Sequence, residues 1–222
     1  MSGQLGFYLD AAACNGCSVC LVACKDKYDN PVGVNFRKVI HHTMGRWDED
    51  PAQPGFLVPT ISAYSLSISC NHCAAPVCME ACPVAAISKR SDGLVLIDKN
   101  ICVGCRLCEC CPYDAPQFNE ELGVMTMCDG CVDQGLETPQ ACVAACPQRA
   151  LEFGELDELQ ARHGNAVNSV LPLPDPSITQ PSLLVNPHRN SPVQRSYAGS
   201  SGETGANDEA VDARAAAGLS HG

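Results

Sequence analysis

The chain has 222 residues, with 14 lysines and arginines against 25 aspartates and glutamates and a net charge of −11. That balance argues against nucleic acid as a partner, because such binding rests on basic patches that neutralise phosphates. No apolar run approaches the roughly 18 to 20 residues of a membrane span, so the chain is not expected to cross a bilayer itself.

Hydrophobic residues make up 45 % of the sequence, but that figure includes 17 cysteines, and aromatics are only 5 %. A chain with so little apolar bulk needs disulfides or metals to supplement its core. Disulfide scaffolds usually have an even cysteine count and a secretory leader. Here the count is odd, and MSGQLGFYLD has no basic n-region, apolar h-region or twin arginine. Repeated C-x-x-C spacing also favours a metal or redox site over structural bridges.

The first cysteine group, CNGCSVCLVAC, places Cys14, Cys17, Cys20 and Cys24 at C-x2-C-x2-C-x3-C spacing. Three cysteines two residues apart wrap a short loop around one iron–sulfur cubane, with backbone N–H groups turned toward its sulfides. Three residues later the fourth cysteine has moved onto the start of a helix and faces away, so it serves the other centre of a pair, as in bacterial ferredoxins. A zinc site would need two well-separated knuckles, which this packing does not provide.

Residues 25–69 contain no cysteine. VNFRKVIHH and FLVPTISAYSLSIS alternate and carry β-branched residues, which predicts a β-hairpin around a DEDPAQPG loop. His41, His42 and Trp47 within it read as surface or packing residues. The second group, CNHCAAPVCMEACP, contributes Cys70, Cys73, Cys78 and Cys82. His72 between the first two is a neighbour able to tune a centre rather than a ligand. After Cys82, the run to Asn100 predicts one helical turn and a hairpin, with SDG at 91–93 as the turn and LVLID at 94–98 as a strand.

The third group, CVGCRLCECCP, holds Cys102, Cys105, Cys108, Cys110 and Cys111. Cys-Pro recurs at Cys82, Cys111 and Cys146, and proline suits a first helical turn where its missing N–H costs nothing. By that analogy Cys111 is the ligand and Cys110 a spare, buried or half-buried residue. The gap from Cys108 to Cys111 is one residue shorter than the ferredoxin pattern, which leaves Cys110 open as the alternative. Arg106 places a positive charge beside this group, either as a tuning group or as a solvated side chain. The fourth group supplies Cys128, Cys131, Cys142 and Cys146, and PQRALEFG follows it as a second copy of the unit after Cys82.

ELDELQARHG at 155–164 predicts a short surface helix. The proline-rich stretch at 171–192 reads as extended, with Leu183, Leu184 and Val185 either lying along a partner or forming part of a plain linker. The acidic Gly/Ala/Ser tail, 198–222, reads as disordered.

Four centres use 16 of the 17 cysteines. The crossing rule gives four expected sets: Cys14, Cys17, Cys20 with Cys146; Cys128, Cys131, Cys142 with Cys24; Cys102, Cys105, Cys108 with Cys82; and Cys70, Cys73, Cys78 with Cys111. The expected fold is α+β: two ferredoxin-like [4Fe–4S] dicluster halves with pseudo-twofold symmetry, a β-hairpin insertion and an extended C-terminal arm. The expected domains are 1–154 for the tandem ferredoxin-like body (insertion 25–69), 155–197 for the short helix and partner-binding arm, and 198–222 for the tail. No phosphate loop or nucleophile elbow is present, so no catalytic residue is expected.

SISCNHC, CVGCRLC, CPYDAPQFNE, MCDGC, CPQRALEFG and PLPDPSITQPSLLVNPHR resemble the iron–sulfur subunit of dimethyl sulfoxide reductase over roughly residues 5 to 192. The resemblance implies four [4Fe–4S] clusters carrying electrons from a quinol-oxidising membrane anchor to a molybdopterin catalytic subunit in anaerobic respiration. It implies membrane association through partner subunits, with the side of the membrane open. It also implies an electron path through the centre grasped by the second group, then the third, fourth and first, with Cys70, Cys73 and Cys78 nearest the membrane. Close relatives with a tryptophan in the third group hold a [3Fe–4S] cluster; with Cys102, Cys105 and Cys108 all present, [4Fe–4S] is implied here. The rival readings are a free-standing polyferredoxin, a zinc scaffold, and the equivalent subunit of a polysulfide, tetrathionate, nitrate or formate oxidoreductase.

Overall fold

The structure, a computed structural model, describes residues 3–135 and 137–191. Its first strand, β1 (Leu5–Asp10), is buried at five of its six positions, a near-continuous apolar run of the kind a strand needs when both faces are covered. The chain then enters the first cysteine loop and α1 (Val19–Tyr28), which buries Cys20 and Cys24 one above the other at i and i+4.

The insertion forms a long antiparallel pair, β2 (Arg37–Met44) with β5 (Ser62–Ser69), in register from Arg37 opposite Ser69 to Met44 opposite Ser62. A second pair, β3 (Trp47–Glu49) with β4 (Leu57–Pro59), extends it outward around the proline-rich turn. β5 delivers the chain directly into Cys70. The inner half of β5 is buried whereas β3 and β4 are largely exposed, so the hairpin roots in the core and projects from it.

Three short elements follow: α2 (Val77–Glu80) and the hairpin of β6 (Ile87–Lys89) and β7 (Val95–Ile97). A 3-10 turn, Leu107–Cys110, and a second hairpin, β8 (Gln117–Asn119) with β9 (Val124–Thr126), carry the third group. The fourth group leads into α3 (Ala141–Ala144) and β10 (Leu151–Glu155). α1 packs on α3, and α2 packs on the 3-10 turn. The first and fourth groups are therefore joined across the fold, and so are the second and third.

α4 (Leu156–Arg162) forms where a short surface helix is expected, with Leu159 turned inward against Tyr8 and Leu184. The segment after it departs from the sequence reading. β11 (Leu183–Asn186) adds to the central sheet, giving the order β10–β1–β11 with β11 parallel to β1. Leu183, Leu184 and Val185 are thus buried within this chain and not left for a partner or a linker. Their apolar run finds its cover beside β1, itself apolar on both faces. Gly6 permits this approach, since a Cβ there would stand 2.4 Å from the Ser182 carbonyl oxygen. The expected tail, 198–222, lies outside the described residues.

The core is small and sulfur-rich. Leu9, Leu66, Val95, Met125, Val170 and Val185 pack in one continuous body with eight buried cysteines. Among the described residues no helix is long and apolar enough to cross a membrane.

Candidate metal centres

Each cysteine loop turns on a left-handed residue just before its second cysteine. Gly16, Gly104 and Gly130 hold φ of 74°, 68° and 73°. In the second group His72 holds the same position at φ 45°, a conformation costly for a residue with a side chain. His72 is fully buried and accepts a hydrogen bond at Nδ1 from the Val95 N–H at 3.1 Å, while its Nε2 has no hydrogen-bond partner among the described residues. Burial lowers its pKa to about 4 and keeps it neutral.

The loops bring the thiols into four sets. Cys14, Cys17, Cys20 and Cys146 line one cavity of about 330 Å³ with Leu9, Leu151 and Pro147. Cys70, Cys73, Cys78 and Cys111 line another of about 280 Å³ with Val95, Met127 and Tyr113. Burial, then repulsion from Cys142 and Cys131, pushes the Cys24 thiol up to about 12, and burial followed by Cys24 and Cys142 raises Cys128. These four cysteines therefore stand together. Cys108 is pushed up to about 11 by burial first, with Cys102, Cys105 and Cys82 adding to it, which gathers the last set. Among the described residues no three His, Cys, Asp or Glu side chains converge on a point that would hold a single ion. The Cys14/Cys17/Cys20/Cys146 and Cys70/Cys73/Cys78/Cys111 sets line spaces, as an inorganic core of several atoms requires.

Backbone donors complete these spaces. The N–H of Ala86 reaches Cys82 Sγ at 3.3 Å, and that of Ala150 reaches Cys146 Sγ at 3.3 Å, each four residues on. Cys111 receives the N–H of Ala115 at the same offset. The residue three beyond each of these cysteines is left-handed as well: Ala85, Arg149 and Asp114 hold φ of 52°, 52° and 49°. Cys82, Cys146 and Cys111 thus share one local design, written in the sequence as Cys-Pro-x-x-Ala. Cys110 lies outside it. It is exposed rather than buried or half-buried, and its Sγ reaches the Val77 carbonyl at 3.8 Å. With one residue missing between Cys108 and Cys111, the 3-10 turn swings Cys110 outward.

Neighbouring sets are ordered. Cys78 is raised by Cys108 as well as by its own set, and Cys70 by Cys128. α1 holds both Cys20 and Cys24, so the sets of the first and fourth groups adjoin. The line therefore runs from the third group's set through the second's and the fourth's to the first's. Cys105 and Cys17, in the two end sets, are exposed, whereas no cysteine of the middle sets is. This order sets the second group's thiols between those of the third and fourth groups, whereas the path implied by resemblance starts from the second group. The sharing of cysteines between groups two and three places the third group's loop outermost.

Residues 61–156 match the family model of a 4Fe-4S dicluster domain. The protein is 46 % identical over 193 residues to the B subunit of anaerobic dimethyl sulfoxide reductase from Escherichia coli, covering 86 % of this chain and 92 % of that one. The B subunit from Haemophilus influenzae is 45 % identical over 203 residues, 90 % of this chain and 94 % of the relative. The chain belongs to the family of dimethyl sulfoxide reductase B subunits. A thiosulfate reductase electron transfer subunit from Salmonella typhi is more distant, at 36 % over 161 residues, 71 % of this chain and 79 % of the relative.

In this member of the B-subunit family, several side chains around the sets escape a reading of the sequence. Thr179 and Tyr113 border Cys73, and Tyr28 hydrogen-bonds Asp129 beside Cys131. Arg106 is exposed and paired with Glu109 at 2.7 Å, its guanidinium 5.2 Å from the Phe118 ring centre. Its charge is partly answered locally. Arg37 is the opposite case, 2 % exposed at the junction of β2 with β5, and nothing in VNFRKVIHH marks it as different from a solvated arginine. His41 is exposed and meets Ser65 Oγ at 3.0 Å, His42 packs on Tyr64, and Trp47 is exposed.

Proposed function

We propose that this chain is the electron-transfer subunit of a dimethyl sulfoxide-type reductase, carrying four [4Fe–4S] clusters between a quinol-oxidising membrane anchor and a molybdopterin catalytic subunit. The ligand sets are Cys14, Cys17, Cys20 and Cys146; Cys24, Cys128, Cys131 and Cys142; Cys70, Cys73, Cys78 and Cys111; and Cys82, Cys102, Cys105 and Cys108. Bound there, each centre supplies reversible one-electron transfer without bond chemistry. The observation that carries the reading is the gathering of these 16 cysteines into four adjoining sets, each drawing on two groups of the sequence.

The chain's own residues hold the donors and exclude water. Buried thiols such as Cys24 and Cys78, both pushed up to about 12 by burial and neighbouring thiols, stay protonated until a metal displaces the proton. Cys82 is the exception. Burial raises it, but the N–H groups of Val84, Ala86, Ile87 and Ala85 outweigh that and bring it below the ordinary thiol value. Such N–H groups favour a sulfur that gains charge.

The two ends of the line take different partners. The Cys102 end faces the membrane anchor, and the Cys14 end faces the catalytic subunit. Membrane association comes through these partners. The described residues within 1–154 form the tandem ferredoxin-like body, in two pseudo-symmetric halves, and the exposed outer part of 155–191 contributes to partner docking. The identity to the dimethyl sulfoxide reductase B subunits exceeds that to the thiosulfate subunit by enough to favour an S- or N-oxide as the terminal substrate.

Anaerobic affinity purification of the tagged chain from its host, with iron and molybdenum measured, tests this reading. Molybdenum at about one atom per four cubanes supports it. Arrival of the protein alone, full of iron, would replace it with a soluble polyferredoxin.

A further inference from the structure

Arg37 is buried without an acid. Among the described residues no carboxylate pairs with it, and an arginine cannot shed its proton to escape the cost of burial. Its contacts are neutral. Nη1 donates to the Ser67 carbonyl at 3.1 Å and to Ser67 Oγ at 3.2 Å, and Nη2 donates to Ser69 Oγ at 2.9 Å. The guanidinium lies over the Phe7 ring at 4.5 Å. Nε, fully enclosed, has no hydrogen-bond partner among the described residues. Burial works against the Arg37 charge, and the groups that favour it in return are sulfurs: Cys142 first, then Cys128, Cys20 and Cys24.

These four cysteines come from two adjoining sets. Three belong with Cys131, and Cys20 belongs with Cys14, Cys17 and Cys146. The link to Cys20 is also a bonded one. Ser67 Oγ lies 3.1 Å from Cys20 Sγ, and it already accepts from Arg37. A thiolate can only accept, so the Ser67 hydroxyl must donate its proton to Cys20 whenever that sulfur is ligated.

We propose that Arg37 is a positioning residue for electron transfer, a fixed positive charge set between the Cys24/Cys128/Cys131/Cys142 centre and the Cys14/Cys17/Cys20/Cys146 centre that raises both reduction potentials, with Ser67 relaying its effect to Cys20. This rests on the four-centre reading above. Four thiolates outweigh the positive charge of an iron–sulfur core, so each centre is an anion that becomes more negative on taking one electron. A fixed cation in a low-dielectric interior stabilises the reduced state more than the oxidised one. No proton is taken up in that step, because the charge is already present. The inference also gives the 25–69 insertion a task, since the β2–β5 pair is what carries Arg37, Ser67 and Ser69 into the core.

The test is an EPR-monitored redox titration of the assembled membrane complex, with iron measured on every sample. Arg37→Gln with full iron should make reduction of the two flanking centres at least tenfold less favourable, a fall of about 59 mV for one electron. The Cys82/Cys102/Cys105/Cys108 centre should not move, and Arg37→Lys should restore most of the loss. Ser67→Ala should lower only the centre that includes Cys20, by a few-fold. Unchanged midpoints in Arg37→Gln at full iron would overturn the proposal. If Arg37→Gln fails to retain iron, Ser67→Ala decides: a lowered midpoint supports the proposal and an unchanged one overturns it. A wild-type complex with far fewer than about sixteen irons per copy of this subunit would count against the four-centre reading instead.

Discussion

Replacing Cys110 and Cys111 one at a time separates a ligand from its neighbour. Cys111 lines the cavity of Cys70, Cys73 and Cys78, and its sulfur receives the Ala115 N–H as Cys82 receives Ala86 and Cys146 receives Ala150. Removing that sulfur leaves three ligands for a four-iron core. Cys111→Ser should therefore lose one iron, by conversion to a three-iron centre, or all four. The full complement of about sixteen irons would fall to about fifteen or about twelve. Cys110 is exposed with a long 3.8 Å hydrogen bond to the Val77 carbonyl, so Cys110→Ser should keep its iron and change stability by no more than about 0.5 kcal/mol. Iron analysis and EPR spin counts on anaerobically purified complex measure the first effect, and a denaturant titration the second. Iron lost from Cys110→Ser and kept in Cys111→Ser would refute the argument from shared backbone geometry.

Three further outcomes follow from the packing. Gly104→Ala should disrupt the centre at Cys102, Cys105 and Cys108, because a Cβ there would stand 2.4 Å from the Gly123 carbonyl at a φ of 68°; an unaltered iron content would show that the loop relaxes freely. Leu184→Ala should cost about 2–5 kcal/mol in a denaturant titration, since the side chain is 2 % exposed between Tyr8 and Leu159. A loss of partner binding with no loss of stability would return β11 to the role of a docking arm. Arg106→Gln should leave every midpoint within a few-fold in the redox titration, because its exposed charge is shared with Glu109; a shift as large as that expected for Arg37 would contradict the argument from burial.

Much of the metal chemistry was legible in the chain itself. C-x-x-C spacing acts over one loop, and the glycine before a second cysteine answers a left-handed turn within that loop, so Gly16, Gly104 and Gly130 could be read with their cysteines. The hairpins at 87–97 and 37–69 were legible for the same reason, through alternation and turn residues. A signal at Cys-Pro-x-x-Ala was also present and went unread, and it bears on Cys111 more directly than proline alone.

What the sequence could not determine depends on distant segments meeting. Leu183–Val185 look like any apolar stretch in a proline-rich arm until β1 appears beside them, separated by most of the chain. The order of the thiol sets is likewise tertiary, because spacing says which cysteines face away but not which loop lies outermost. Arg37 is the clearest instance. Its neighbours in the chain are those of a surface strand, and only the fold sets its charge in the field of Cys142, Cys128, Cys20 and Cys24, with no carboxylate paired to it among the described residues. Ligand spacing is local and is written in the chain; burial and electrostatic surroundings are sums over remote residues, which only the folded structure brings within range.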